Sequence, residues 1–481
     1  MCTAYSTSTS MQGFPRQPIG IGHLPTELLS IIFQMAYRNL RETDTYCPQT
    51  TYWPYGENLR SPSLFPYSLS NVCRLWQGIM ADNPAYWTRL VVLVGRDATH
   101  PRAFESQLTW SRGRPFTITV TRREHDDVDP PDLEREQVAA ITAIFKPHIH
   151  RARTITFDVL YSGSLPTLHQ DFEGTATHLT SLQLKSSMTR GLGGCDLDVA
   201  TSIKPELQLE CPKLQTLHLD GSNFRDAVRY KWLGLFSRAT SVSISRFSPD
   251  DTMSLSLLQS LRALRAIRFL HSLEFRDVAF EMDSARADIV RYPSLLDLTF
   301  VRVAGELIQD VLLSIEHGFL ESLTIIACPL VIHDPDILPG IFYLNLEALS
   351  ADENPLVCLQ LWGASSDGGH SLQIRDCPCF TDSVLTAMSR GGRHDEHWIC
   401  PRLSELEIRD CHHFSGHALR RMVEAHWVAS RKFSEMDPNL ENGELQVSAI
   451  QSLTVTGCGE ILSEEDQEWF KAHLLWFTYK V

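Results

Sequence analysis

The chain has no hydrophobic run long enough to cross a bilayer: its longest apolar stretches, RLVVLVG at 89–95 and HLLWF at 473–477, fall far short of the ~20 residues a spanning helix needs. It is also short of basic residues, with 43 Lys and Arg against 58 Asp and Glu and a formal charge of -15. A field of that sign repels phosphate backbones and anionic lipids, so neither nucleic acid nor a membrane is an expected partner. Cysteine is sparse. Twelve in 481 residues cannot make a disulfide scaffold, and in a reducing compartment they should be free or metal-bound. No N-x-[ST] sequon occurs, and the start MCTAYSTSTSMQGF lacks the basic residues and apolar run of a secretory signal. Residues 1–20 are expected to be flexible, and the expected address is the cytosol, the nucleus or both.

Enzyme signatures are missing too. There is no G-x-S-x-G elbow, no G-x-x-x-x-G-K-[ST] loop and no H-E-x-x-H. GIGHLP at 20–25 begins like a dinucleotide fingerprint but lacks the third glycine and a preceding strand, and runs into Pro25. It reads as a loop entering a helix. No cofactor is expected. What remains, 43% hydrophobic and 21% charged, is the composition of a folded chain, and its length suits roughly two to four domains or one elongated array.

From about residue 150 one pattern recurs, LxxLxL, clearest in LTSLQL at 179–184, LQTLHL at 214–219, LHSLEF at 270–275, LESLTI at 320–325 and LSELEI at 403–408. Marked by the middle apolar residue, the copies fall at Ile155, Leu182, Leu217, Val242, Leu273, Leu298, Leu323, Leu349, Leu372, Leu406 and Leu453. Most spacings are in the twenties, the signature of a solenoid. Alternation within each copy predicts a short strand with one buried face. Between copies, SLSLLQSLRALRAIRF at 254–269, ELIQDVLLSIEHG at 306–318, TDSVLTAMS at 381–389 and SGHALRRMV at 415–423 have helical apolar spacing, three of them with Ser or Thr in a capping position. No unit can bury its own apolar face, so neighbours must stack, giving an α/β array with strands inside the curve and helices outside.

LTIIAC ending at Cys328, LQIRDC at Cys377, LEIRDC at Cys411 and LTVTGC at Cys458 put a cysteine three residues after the last apolar strand position, while LSADEN from Leu349 puts Asn354 there; CPKL at 211–214 and CPRL at 400–403 head further copies. In these features 151–462 resembles the leucine-rich-repeat proteins of the cysteine-containing type, which implies a horseshoe. The stretch from Cys377 to His413 also holds Cys379, His394, His397, Cys400, Cys411 and His412, ligand types that suit zinc. Repeat register separates its cysteines into different rungs, so they are read as structural thiols and no metal site is expected. The loop RGGRHDEHW at 390–398 has no assigned role.

Before the repeats, IGHLPTELLSIIFQMAYRNL at 21–40 reads as a helix begun at Pro25 with Leu24, Leu28, Ile31, Ile32 and Met35 near one face, and YSLSNVCRLWQGIMADNPAYWTRLVV at 67–92 supplies two short helices and a Trp-containing end. A plain helical cap burying Leu and Trp would look similar. The order LPTELLSIIF, SNVCRLWQGI, NPAYWTRLVV resembles an F-box, in particular the F-box-like form of fungal proteins, over 21–94. That resemblance implies docking on a Skp-type adaptor, and through it on a cullin, by Leu24, Pro25, Leu28, Ile31, Val72 and Cys73, with Trp76 and Trp87 holding the module together. Residues 41–66, with Pro48, Pro54, Pro62 and Pro66, interrupt the motif and should form a mobile loop.

Residues 95–150 read as a bridge or irregular first repeat: helix, turn and strand in AFESQLTWSRGRPFTITV at 103–120, a solvated acidic loop EHDDVDPPD at 124–132, and a helix LEREQVAAITAIF at 133–145. SEEDQEWFKAHLLWFTYK at 463–480 reads as a capping helix, or else as a partner-binding helix. Taken together, the resemblances imply a non-catalytic target-recognition subunit of an SCF-type ubiquitin ligase. An unknown protein substrate would be read by outward strand positions Thr216, His218, Glu274, Arg276, Arg375, Glu405, Glu407 and Arg409. The same charged positions could be a merely solvated surface. A repeat scaffold with no ligase role is the alternative function.

Overall fold

The computed structural model describes residues 21, 24–42, 59, 61, 64–122, 130–188, 206–247, 255–281, 289–318, 320–331, 340–363, 369–390, 398–435 and 447–481. Residues 1–20, most of the loop 41–66, the stretch 124–129 of the acidic loop and 391–397 of RGGRHDEHW lie outside them. The fold is α/β and solenoid-like, with a large parallel sheet and, among the described residues, 13 helices. Among the same residues no helix is long and apolar enough to cross a membrane. The chain divides into two compact units, one holding the residues up to Arg89 and Ser106–Arg114, the other Leu90–Glu105 and Pro115–Val481.

In the first unit the helices Thr26–Glu42 and Arg74–Ala81 close on each other, with Tyr67–Ser70 before the second and a 3-10 turn Pro84–Trp87 after it. Leu29 and Phe33, four apart on one helical face, bury against Trp76, Ile79 and Met80. The Phe33 and Trp76 rings meet edge to face at 4.9 Å. Asn83 starts the 3-10 turn by accepting from Ala85 N–H at 3.2 Å, which delivers Trp87 into the core, fully buried with Nε1–H donating to Met80 O at 2.9 Å. The interrupted motif therefore closes. Phe65, from the far end of the interruption, packs on Tyr37 and Tyr86.

In the second unit fourteen strands form one sheet in strict chain order, and from Phe116–Arg122 onward every neighbouring pair runs parallel. Leu273, Leu298, Leu323, Leu344, Leu372, Leu406 and Leu453 stand in one register and are all buried. Each contributes about 2 kcal/mol of transfer free energy. Alternate residues face the other way and stay partly exposed, the pattern of a sheet buried on one face.

Three expectations are corrected here. The marker of the eighth copy is Leu344, in the strand Tyr343–Glu347, and Leu349 instead occupies the cysteine position; Asn354 lies beyond it, accepting from Leu356 N–H at 3.1 Å at the start of the helix Pro355–Gly363. The segment 463–480 is not one helix: Ser463 caps Glu464–His473, then Leu474 turns extended and Trp476–Lys480 pairs with Ser452–Thr456 as the last strand. The strand Arg89–Val94, expected in the N-terminal module, is the sheet's first; the strand Phe116–Arg122 that follows it is the one expected in the bridge, which enters the sheet as an irregular first repeat would.

A turn device repeats at the end of each sheet strand from Ser241–Ser245 to Ser452–Thr456. The next residue adopts positive φ at Arg246, Asp277, Arg302, Ala327, Ala348, Asp376, Asp410 and Gly457. Its N–H donates to the last strand carbonyl of the following rung, as from Asp376 to Arg409 O and from Asp410 to Thr456 O, both at 2.9 Å. A left-handed non-glycine residue costs about 1 kcal/mol, least for Asp, and the bond offsets it. This gives a physical reason for the Arg-Asp pairs 276–277, 375–376 and 409–410.

Candidate docking surfaces

On the first unit, burying Leu29 and Phe33 turns the other face of Thr26–Glu42 outward. Leu28, Ile31, Ile32 and Met35, spaced three and four apart, are 40 to 58% exposed. Val72 is 58% and Leu75 47% exposed at the start of the second helix, with Cys73 exposed at its N-cap. Of the six residues singled out in sequence, Leu28, Ile31, Val72, Cys73 and Pro25 are exposed, while Leu24 is half-buried against the core. Met35 and Leu75 share this apolar exposure; helical spacing from Leu28 and Val72 is the signal for them. Trp76 and Trp87 are core.

The outward sheet positions form two separate groups. In one, Arg276 pairs with Glu274 at 2.8 Å, and the cation lies close enough to His218 to push its proton affinity down. Lys185, opposite Asp158 in register, belongs here. Burial pulls the Lys185 pKa down against the attraction of Asp158 and Glu274. In the second group Arg409 pairs with Glu407 and Arg375 with Glu347 at 3.8 Å; Arg375 and Arg409 are register neighbours. Thr216 is half-buried and Glu405 exposed. Lys185, Asp158 and Glu347 escaped the sequence reading because cross-strand register, not motif, brings them in.

His218 is corrected. It is 6% exposed and hydrogen-bonds Ser245 Oγ at 2.9 Å, so it is a buried polar group rather than a surface reader. Burial, then the Lys185 and Arg276 cations, lower its pKa to about 3.

In the 377–413 stretch Cys377 and Cys411 directly follow the turn residues Asp376 and Asp410, while the Cys400 thiol donates to Leu359 O at 3.4 Å. Cys377, Cys400 and Cys411 are buried, and burial raises the Cys411 thiol to about 12; His412 and His413 are exposed, and His394 and His397 lie outside the described residues. Among the described residues no group of three or more His, Cys, Asp or Glu is placed to hold a metal ion.

Compared with known proteins, the chain matches no family model, and no curated protein matches it.

Proposed function

We propose that the chain is the target-recognition subunit of an SCF-type ubiquitin ligase, a fungal F-box-like module followed by leucine-rich repeats of the cysteine-containing type. The observation that carries this reading is the exposed apolar row Leu28, Ile31, Ile32 and Met35, flanked by Val72 and Leu75, on a helical pair whose other faces are fully occupied by Phe33, Trp76 and Trp87. Helices that bury one face internally and leave a second apolar face in water suit a partner's hydrophobic surface. The motif order in the sequence names the partner class as a Skp-type adaptor, carrying a cullin with it.

In this reading the chain performs no bond-making step. It holds a target protein on the open sheet face, at Glu274, Arg276, Arg375, Glu405, Glu407 and Arg409, close to a ubiquitin-charged conjugating enzyme, and acts through effective concentration. The test is co-purification of the full chain with a Skp-type adaptor. The wild type should retain the adaptor, and Leu28→Asp with Ile31→Asp, or Leu24→Ala with Pro25→Ala, should lose it. A correctly folded wild-type chain with no affinity for the adaptor overturns the proposal and leaves a repeat scaffold.

A further inference from the structure

The strand Trp476–Lys480 stands at the end of the large sheet's strand order and, among the described residues, pairs on one side only, with Ser452–Thr456. The ladder fixes which way its backbone groups point. Trp476 N–H donates to Gln451 O at 3.0 Å and Lys480 O accepts from Gly457 N–H at 2.9 Å. Residues that bond a given neighbour alternate along a parallel ladder, so Trp476, Thr478 and Lys480 turn both groups toward it. The N–H and C=O of Phe477 and Tyr479 therefore point to the other side, where among the described residues nothing bonds them. Side chains divide the same way. Phe477 stacks on Phe470 at 5.3 Å and Tyr479 Oη–H donates to Gly459 O at 2.7 Å on the packed face, both half-buried. On the outward face Thr478 is half-buried, Lys480 exposed and Trp476 66% exposed.

We propose that this edge pairs with the same edge of a second copy of the chain, antiparallel about a two-fold axis through Thr478. The free backbone groups require an extended strand as occupant, and the order of the residues selects this one. With Thr478 opposite the second copy's Thr478, Phe477 lies opposite the second copy's Tyr479, and each free N–H meets a free C=O. The same register sets Trp476 opposite the second copy's Lys480 at a non-bonded pair, where side chains stand closest, so an ammonium meets an indole on each side of the axis. A slip of two residues keeps the bonding phase but separates Trp476 from Lys480, and a slip of one loses the phase. The net charge of -15 on each copy opposes close approach, but 475–481 holds no acidic residue, and physiological salt screens exposed charges beyond ~8 Å. The edge uses none of the residues assigned to adaptor or target, so the proposal stands independently of the ligase reading.

The test is sedimentation velocity on the full chain. A pair of short strands makes a weak interface, so loading should span about 1–200 µM, across which the wild type should pass from monomer to dimer. Thr478→Lys and Thr478→Glu each set like charges face to face on the axis and should abolish the dimer, while an equimolar mixture of the two variants should restore it. Trp476→Ala should weaken the dimer several-fold. These side chains lie on the outward face, so the variants should melt like the wild type; if the Thr478 variants melt lower, Trp476→Ala and Lys480→Ala, at the two exposed positions, decide, and each should weaken the dimer. A wild type that sediments as a monomer throughout, a dimer that persists unchanged in the variants, or a mixture no more dimeric than its parts overturns the proposal. The first of these outcomes would leave the edge to an extended segment of another protein.

Discussion

The backbone N–H of Cys377 donates to Sγ of Cys411, one rung away, at 3.4 Å, while the Cys411 thiol donates to Arg409 O at 3.2 Å. The same arrangement holds at Cys328, which accepts from Val303 N–H and donates to Ile326 O, both at 3.2 Å. A thiol at this place is therefore both acceptor and donor, and it ties a turn to the rung before it. Cys411→Val leaves a buried N–H and a carbonyl lone pair without that partner, and should cost ~1–3 kcal/mol. Cys411→Ser keeps both roles in a smaller side chain and should cost less than Cys411→Val. Urea unfolding of the two variants checks the order; equal or reversed costs would mean the thiol acts by volume alone.

Thiol reactivity should divide the same cysteines. Burial raises Cys211, Cys358 and Cys411 to about 12, so at pH 8 almost none of each is thiolate, whereas Cys73 is exposed. Alkylation of the native chain followed by peptide mass spectrometry should mark Cys73 within minutes and leave the other three unmodified until denaturant is added. Rapid native labelling of Cys411 would contradict its burial.

The period of the array is legible in the sequence because every rung keeps two buried apolar residues two apart, and strict alternation of that kind fits the pleat of a strand and not the turn of a helix. Its phase is less so. LNLEALS offers apolar residues at Leu344, Leu346 and Leu349, and only cross-strand pairing of Leu344 with Leu323 and Leu372 decides which of them lies in the strand. WFTYK reads as helix in the sequence because Trp469 and Phe470 continue an amphipathic pattern up to Leu474, and nothing local announces the extended turn there. His218 differs for another reason. Alternation assigns a face, but whether that face is open depends on the crowding by strands on either side. At the N-terminal module the apolar spacing indicates the exposed row, while the closure of the interrupted helices rests on Phe33 meeting Trp76, a contact that no spacing rule states.

Acid should destabilise the chain through its buried histidines. His218 is held at about 3 and His426 at about 4 in the fold, both chiefly by burial, against an unfolded value near 6.5. Below pH 6.5 the unfolded chain binds protons that the folded one refuses, so their contribution is complete above that pH and is lost as pH falls toward the folded values, by about 1.4 kcal/mol per unit for each histidine. Asp220 works in the opposite sense, since burial raises its pKa in the fold. Comparing wild type with His218→Gln isolates one term: the variant should lose less stability between pH 6.5 and 4.5, as read by denaturant midpoints. Parallel losses would remove His218 from the account.

Stability and docking should separate in the first unit. Trp87→Ala removes a fully buried indole and its bond to Met80 O, and should cost ~3–5 kcal/mol. Leu28→Ala and Ile31→Ala remove side chains that are 46 and 52% exposed, and each should change stability by no more than ~0.5 kcal/mol. Thermal melts of the three variants test this directly, and a large loss at Leu28 would show that the outward row is structural.

Two glycine substitutions should have opposite signs. At Gly416, the first residue of the helix Gly416–Glu435, an added Cβ would lie 2.3 Å from Ile461 O and 2.9 Å from a Leu462 methyl, and a backbone carbonyl cannot swing aside as a side-chain tip can. The helix must shift away from the turn it touches, so Gly416→Ala should cost ~1–3 kcal/mol. At Gly78, inside the helix Arg74–Ala81, nothing lies within 4 Å of the new carbon, and alanine's helix preference should stabilise the chain by ~0.5–1 kcal/mol. Denaturant midpoints of the two variants measure both. A neutral Gly416→Ala would mean that the rungs flanking that helix are less tightly stacked than the Ile461 contact requires.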